Sequence, residues 1–176
     1  MEYIYIVNYC HPGCEPLKSI TQLKEAESFE LARELSLHNS GVAFNRFGDD
    51  YKGYYPHRIA TEKWLYEEFL SMGGKPETEH PYYFVLQGSD YLHEWFGKGR
   101  VTKLLLDEID AKDISFTFGD SQGMMYKPER KNPFSKDHLY ELIKIHGNVE
   151  AFLRNIVSQY YYIEAQLWTD KYFVKK

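Results

Sequence analysis

Residues 160–168 read Tyr-Tyr-Tyr-Ile-Glu-Ala-Gln-Leu-Trp, and this stretch is the clearest indication of how the chain folds. Apolar residues occupy every second position from Ile163 to Leu167, while Glu164 and Gln166 lie between them. Such a period of two predicts a β-strand with one apolar face and one polar face that is flanked by aromatic rings. We expect the apolar face to pack on the core and the polar face to point outward.

Other segments rich in β-branched and aromatic residues predict the remaining strands. These strands cover residues 3–9, 82–87, 100–106 and 114–118. Apolar residues spaced three and four apart, with capping residues before them, predict helices between the strands. The helices cover residues 20–37, 57–72 and 135–146, and a last one begins after Asn148, while residues 91–96 form one or two helical turns.

The strands are grouped at both ends and in the middle of the chain, without regular alternation with helices. This order favours a mainly antiparallel sheet over a parallel one. We therefore predict a single globular α+β domain over residues 1–176, with a mainly antiparallel sheet and three to four helices.

Composition fits one folded domain. The chain has 176 residues, of which 43% are apolar and 17% aromatic, enough to build a core and to argue against disorder. Its net charge of −5 gives no strong nucleic-acid signal, and no apolar run is long enough to span a bilayer. Residues 1–4 lack the basic and apolar segments of a signal peptide. We expect a cytoplasmic protein without a membrane partner.

Two cysteines lie close together in Cys10-His11-Pro12-Gly13-Cys14. Their thiolates and the imidazole could form half of a zinc site, yet no second cysteine pair and no His-Glu-x-x-His pattern would complete it. The more ordinary interpretation is a turn after the first strand. We therefore name no metal ligand, and the sequence leaves open whether the two thiols bind a metal.

On the predicted helix 57–72, Arg58 and Glu62 fall inside the apolar arc. They are four residues apart and can pair, but Arg before Glu is the less favourable order for the helix dipole. Either they form a partly buried ion pair at the base of a cleft, or the first turn protrudes and both are solvated. The hypothesis to test is that both are less exposed than Lys63, Glu67 and Glu68 and that they lie near a cleft.

Hydroxyl and acidic side chains mark two predicted strands as candidate ligand-binding elements. Ser115 and Thr117 form the polar face of one strand, which runs into Asp120 and Ser121 beside glycines. Glu164 lies among aromatic residues, where desolvation would raise its pKa and suit it to act as a catalytic base. We expect Ser115, Thr117 and Glu164 to line one pocket, although all three could also be ordinary solvent-facing residues. We expect no hydrolase nucleophile in this segment.

Residues 42–56 show no clear period and carry five aromatic residues, which predicts a packed irregular loop. Arg46 in this loop could bind a phosphate or carboxylate together with Arg58. The leading interpretation is a domain that binds a small anionic or nucleotide-like ligand in a cleft. Its candidate contacts are Arg46, Arg58, Glu62, Ser115, Thr117, Asp120 and Ser121. Sixteen tyrosines make a protein-interaction module an alternative, and whether the protein is an enzyme stays open.

Several segments of the chain together carry a resemblance to a known family. They are Phe44-Asn-Arg46, Glu62-Lys-Trp64-Leu65-Tyr66, His80-Pro81 with Tyr83-Phe-Val-Leu86, Ile114 to Ser121 and Tyr162 to Trp168. Together they resemble a small uncharacterised family of Firmicutes proteins. The resemblance covers most of the chain. It implies an intracellular bacterial protein and no particular activity.

A fainter resemblance is to mono-ADP-ribosyltransferase-type folds, in which a basic residue near the first strand, a Ser/Thr-bearing strand and a late glutamate follow in this order. Ser115, Thr117 and Glu164 fit that order, but the first strand carries no arginine, so His11 or Arg46 would have to replace it. The resemblance implies NAD as cofactor, with the hydroxyls near its nicotinamide side and Glu164 as the catalytic residue. NAD is expected under this alternative alone.

Overall fold

Six strands form one sheet in the computed structural model, which describes residues 2–174. The strands are Tyr5–Cys10 (β1), Tyr82–Leu86 (β2), Arg100–Leu105 (β3), Ile114–Phe118 (β4), Phe134–Ser135 (β5) and Ile163–Leu167 (β6). Their order across the sheet is β3-β1-β2-β6-β4-β5, and every neighbouring pair is antiparallel. The prediction of an α+β fold with an antiparallel sheet, including the first and last strands, is confirmed.

Residues 2–174 form six α-helices, more than the three to four predicted. They are Glu25–His38 (α1), Tyr51–Ser71 (α2), Asp90–Trp95 (α3), Ser121–Met124 (α4), Lys136–His146 (α5) and Val149–Tyr160 (α6). Four of them have eleven or more residues, and the other two are the short α3 and α4. Ser89, Ser135 and Asn148 cap three helices by accepting a backbone N–H three residues onward, as the sequence predicts. Among the helices of residues 2–174, none has the length and apolar character needed to cross a membrane.

One face of the sheet packs against α5 and α6. Ile163, Ala165 and Leu167 of β6 point to this side and are fully buried. Phe152 and Ile156 from the apolar stripe of α6 belong to the same cluster. This layer of helix on sheet forms the main core of the protein.

The opposite face of the sheet is covered by α2, so β6 is buried on both sides. The Trp168 ring stacks on Phe69 with 5.3 Å between the ring centroids, and Leu65 joins them in a separate cluster. Glu164 and Gln166 are buried on this side rather than pointing outward. The expectation of an outward polar face is therefore wrong for β6, because α2 meets this face with polar side chains of its own.

Helix α2 begins at Tyr51, six residues earlier than predicted. The expected irregular loop is instead a 3₁₀ turn, Val42–Phe47, followed by the first turns of α2, so Pro56 lies inside the helix. Tyr51 is buried, hydrogen-bonds to Ser28 and packs its ring against Phe29. This tertiary packing overrides the local preference of proline for the start of a helix.

Candidate functional site

Arg58 and Glu62 form a buried ion pair on the side of α2 that faces the sheet. Arg58 Nε lies 3.2 Å from Glu62 Oε1, and the two side chains are 15% and 0% exposed. Lys63 and Glu67 on the same helix are 76% and 63% exposed. Of the two arrangements left open by the helical wheel, the structure has the buried pair. A pair of buried charges needs further hydrogen bonds to offset its desolvation.

Glu62 receives those hydrogen bonds from two residues that are not among the candidate contacts of the sequence analysis. His80 Nδ1 lies 2.6 Å from Glu62 Oε2, and the Tyr83 hydroxyl donates to Oε1 at 3.0 Å. Burial holds the pKa of Tyr83 well above its ordinary value, so the hydroxyl keeps the proton that it donates. The guanidinium carbon of Arg58 lies 4.0 Å from the centre of the Tyr83 ring, a cation–π contact. These contacts depend on the position of β2 under α2, for which the sequence holds no local signal.

Arg46 is held by aromatic rings rather than by a carboxylate. Its guanidinium carbon lies 4.6 Å from the ring centre of Phe47, 5.2 Å from Trp95 and 5.7 Å from Tyr54. Its Nε atom is buried without a hydrogen-bond partner, and none of the ion pairs found within residues 2–174 includes Arg46. A guanidinium group in this state can receive an anion from outside the protein.

Both arginines line one cleft with a volume of about 790 Å³. The cleft lies between the end of β1, the segment that follows it, the 3₁₀ turn and the start of α2. Phe44, Tyr54 and Tyr83 contribute aromatic surface to its walls. This volume and this mixture of apolar walls with a few polar groups are typical of small-molecule sites.

His11 is a further polar group of the cleft that the candidate contacts do not include. Its Nδ1 accepts a hydrogen bond from the Gly13 backbone N–H at 3.0 Å. A neutral ring that accepts at Nδ1 carries its proton on Nε2 and can donate there. Ser19 and Thr21, whose hydroxyls are 2.7 Å apart, also line the cleft.

Glu164 lies at the centre of a buried network that joins β4, β6 and α4. Thr117 is its register partner on β4, and Ser115 is the partner of Gln166. The Gln166 amide donates to Glu164 Oε1 at 2.9 Å and to Thr117 Oγ1 at 3.0 Å, and Ser121 Oγ donates to Glu164 Oε1 at 2.5 Å. The structure thus brings the predicted polar residues together. They bond to one another inside the protein, and none of them lines the cleft described above.

The environment of Glu164 favours its neutral form. The side chain is 7% exposed. Burial raises the pKa of Glu164 to about 7, and the nearby carboxylate of Asp120 acts in the same direction, whereas Arg58 and hydrogen bonds from Ser121 and Gln166 oppose both. Asp120 itself is exposed and caps α4. A carboxyl group that titrates near neutral pH can exchange a proton under physiological conditions.

The segment between β4 and α4 has a spacing that the sequence analysis overlooked. Residues 119–123 read Gly-Asp-Ser-Gln-Gly, which is the Gly-x-Ser-x-Gly pattern, and they join a strand to a helix. Gly119 has a φ of +73°, which an L-residue adopts only with strain. Ser121, however, is 2% exposed, and its hydroxyl donates to Glu164. An elbow serine needs an exposed hydroxyl, so this segment in its observed conformation does not present a nucleophile.

Cys10 and Cys14 are free thiols that line the cleft. Burial raises the pKa of both, which keeps the thiols protonated and unreactive. Within residues 2–174, no group of three or more His, Cys, Asp or Glu side chains is placed to hold a metal ion.

Comparison with known proteins supplies no relative from which a function could be transferred. The chain matches no protein-family model, no curated protein and no solved structure. The function is therefore inferred from the geometry of the cleft and of the buried network.

Proposed function

We propose that the protein binds a small anionic or nucleotide-like ligand in the cleft lined by Arg46 and Arg58. The observation that carries this proposal is the Arg46 guanidinium, which three aromatic rings hold and for which residues 2–174 supply no ion-pair partner. A partly buried cation without a counter-charge is costly, and a bound anion removes that cost. A phosphate or carboxylate fits the planar fork of donors that a guanidinium offers.

Arg58 supplies the second cation. Glu62 lies against its Nε, so its terminal nitrogens are the part of the side chain left for a ligand. Tyr54 precedes Arg58 by one helical turn on α2 and lies 5.7 Å from the Arg46 guanidinium carbon. Residues four apart on a helix are neighbours, which places Arg58 on the side of α2 that carries Tyr54. Because both arginines line the same cleft, the proposal assigns one anionic group to both.

The walls of the cleft favour a ligand that also carries a planar ring. Tyr54 and Tyr83 line the cleft and are half-buried, whereas Phe44 lines it with only 4% of its surface exposed. Stacking of a base on an aromatic ring contributes about 1–3 kcal/mol and tolerates different bases. The volume of about 790 Å³ is ample for a mononucleotide. A nucleoside monophosphate is thus the probe that best combines the two features.

Isothermal titration calorimetry with AMP, adenosine and inorganic phosphate tests this proposal. We expect AMP to bind more tightly than adenosine, because adenosine lacks the anionic group. Arg46→Gln should weaken AMP binding by about 10-fold to 100-fold, since a hydrogen bond to a charged group contributes about 1.5–3 kcal/mol. Arg130→Gln is the matched control, because Arg130 lies 4.2 Å from the Trp64 ring centre and does not line the cleft. Equal affinity of the wild type and Arg46→Gln for AMP, or no binding by either, would contradict the proposal.

A transferase reaction that uses NAD is a second candidate, and the register of β4 and β6 is what favours it. Thr117 lies opposite Glu164, and Ser115 lies opposite Gln166, so the three predicted transferase residues are close together. All three are at most 7% exposed, so this reaction requires a conformation that uncovers their face of the sheet. Glu164, with a pKa of about 7, can hold or release a proton near neutral pH. Turnover of NAD to free nicotinamide is the measurement. We expect Glu164→Gln to abolish it. Unchanged turnover by the variant would show that Glu164 is not the catalytic residue, and no turnover by the wild type would leave the protein a binding role alone.

A further inference from the structure

Arg58 belongs to both the cleft and the buried interior. It lines the cleft, pairs with Glu62 and stacks on Tyr83. Tyr83 is the register partner of Gln166, whose amide donates to Glu164. One guanidinium group therefore lies near two buried carboxyl groups, with Glu62 in direct contact and Glu164 further along the same face of the sheet.

Glu164 has no cation in direct contact among residues 2–174, because none of the ion pairs found there includes it. The charged or titratable groups that face it are Arg58 from α2, Tyr83 from β2, Asp120 from the turn before α4, and Tyr162 just before β6. The groups that hydrogen-bond to Glu164 are uncharged. They are the backbone N–H and hydroxyl of Ser121 and the side-chain amide of Gln166, which also donates to Thr117. Of these groups, Arg58 alone carries a positive charge and so favours the ionised form of Glu164.

Building on the proposed function, we propose that the cleft takes up its anion together with a proton, and that this proton binds to the carboxylate of Glu164. An anion that pairs with Arg58 offsets the positive charge that favours the ionised form of Glu164. Burial and the negative charge of Asp120, which both favour the protonated form, then prevail. The carboxylate accepts one proton from the solvent, forming one O–H bond, and no other bond changes.

The effect has a defined direction in pH. In the free protein Glu164 titrates near pH 7, and the bound anion raises that pKa further. Between the two values the complex holds more protons than the free protein, so binding weakens as pH rises. Below about pH 6 Glu164 is already protonated in both the free protein and the complex, so its ionisation no longer affects the affinity for the anion.

Calorimetry with AMP at pH 7.5, repeated in buffers that differ in ionisation enthalpy, measures the number of protons taken up for each AMP bound. The difference in proton uptake between wild type and Glu164→Gln gives the contribution of Glu164 alone. The AMP phosphate and the histidines His11 and His80 contribute equally to the proton uptake of both proteins. We expect the wild type to take up a larger number of protons, by up to one. Between pH 7 and 8 its affinity for AMP should fall by up to about tenfold relative to the variant. Glu67→Gln, an exposed change on α2, should behave as the wild type.

The outcomes separate this inference from the proposed function. If AMP binds neither the wild type nor the variant, both the proposed function and this inference are wrong. If AMP binds both with the same proton uptake, the proposed function stands and the inference alone is wrong. Should Glu164→Gln not fold, infrared difference spectra of the wild type decide. The band of a protonated carboxylic acid must grow when AMP is added, and its absence overturns the inference.

Discussion

Replacing Glu164 by glutamine should stabilise the protein at alkaline pH and leave its stability at acidic pH nearly unchanged. Burial raises the pKa of this side chain from 4.5 to about 7, so the folded state binds the proton more tightly than the unfolded state. The stability that this proton contributes is complete below pH 4.5 and is lost as pH rises through 7. The difference between the two pKa values corresponds to about 3 kcal/mol.

Glutamine fits the site because it keeps the shape of the protonated acid. Its amide oxygen can accept the hydrogen bonds that Ser121 and Gln166 now donate to Glu164 Oε1. The variant carries no charge at any pH, so it escapes the penalty that a buried carboxylate imposes on the wild type above pH 7. We therefore expect the free energy of unfolding of Glu164→Gln to exceed that of the wild type by about 3 kcal/mol at pH 8.5.

Urea unfolding followed by tryptophan fluorescence at several pH values from 4.5 to 8.5 measures this difference. The gap in free energy of unfolding between the variant and the wild type should grow from pH 4.5 to about pH 7 and level off above it. Glu67→Gln is the control, because it shows how much the free energy of unfolding changes when an exposed glutamate of α2 is replaced. A gap that is the same at pH 5 and pH 8.5 would show that Glu164 does not titrate in this window and would refute the reasoning.

Two further predictions concern the elements that hold the site. Asn148→Ala removes the cap whose Oδ1 accepts the Ala151 N–H at 2.8 Å, and chemical denaturation should show a loss of about 1 kcal/mol. An unchanged midpoint would mean that α6 does not depend on this cap. Trp168→Phe keeps a ring against Phe69 but removes the indole N–H that donates to Ser115 Oγ at 2.9 Å, so we expect a loss of about 2 kcal/mol. A change below 0.5 kcal/mol in the same assay would show that the Ser115 hydroxyl finds another donor.

Patterns confined to neighbouring residues could be read from the sequence. The caps at Ser135 and Asn148 follow from local hydrogen bonds between a side chain and a backbone N–H three residues away. The alternation of residues 163–167 follows from the geometry of one strand, and the structure places that strand in the sheet. The position of Arg58 and Glu62 inside the helix follows from a helical wheel.

What could not be predicted depends on how distant elements meet. Nothing in residues 160–168 indicates that α2 covers their polar face, and the expectation of a pocket at Ser115, Thr117 and Glu164 failed to allow for this cover. The hydrogen-bond partners of Glu62, His80 and Tyr83, lie 18 and 21 residues further along the chain, beyond the end of α2. Their contact arises only when sheet and helix pack together, and amphipathic patterns do not record which faces pair.

The two arginines of the cleft call for different tests because their surroundings differ. Removing the Arg58 side chain would leave Glu62, which is 0% exposed, without its cation. Breaking a buried ion pair in this way costs about 3–5 kcal/mol, so weaker binding by such a variant could reflect partial unfolding as much as a lost contact. Arg46 has no ion pair among residues 2–174 to break, and its aromatic neighbours can pack against a glutamine. Changes at Arg46 therefore report on ligand binding, and changes at Glu164 report on the proton that Arg58 couples to it.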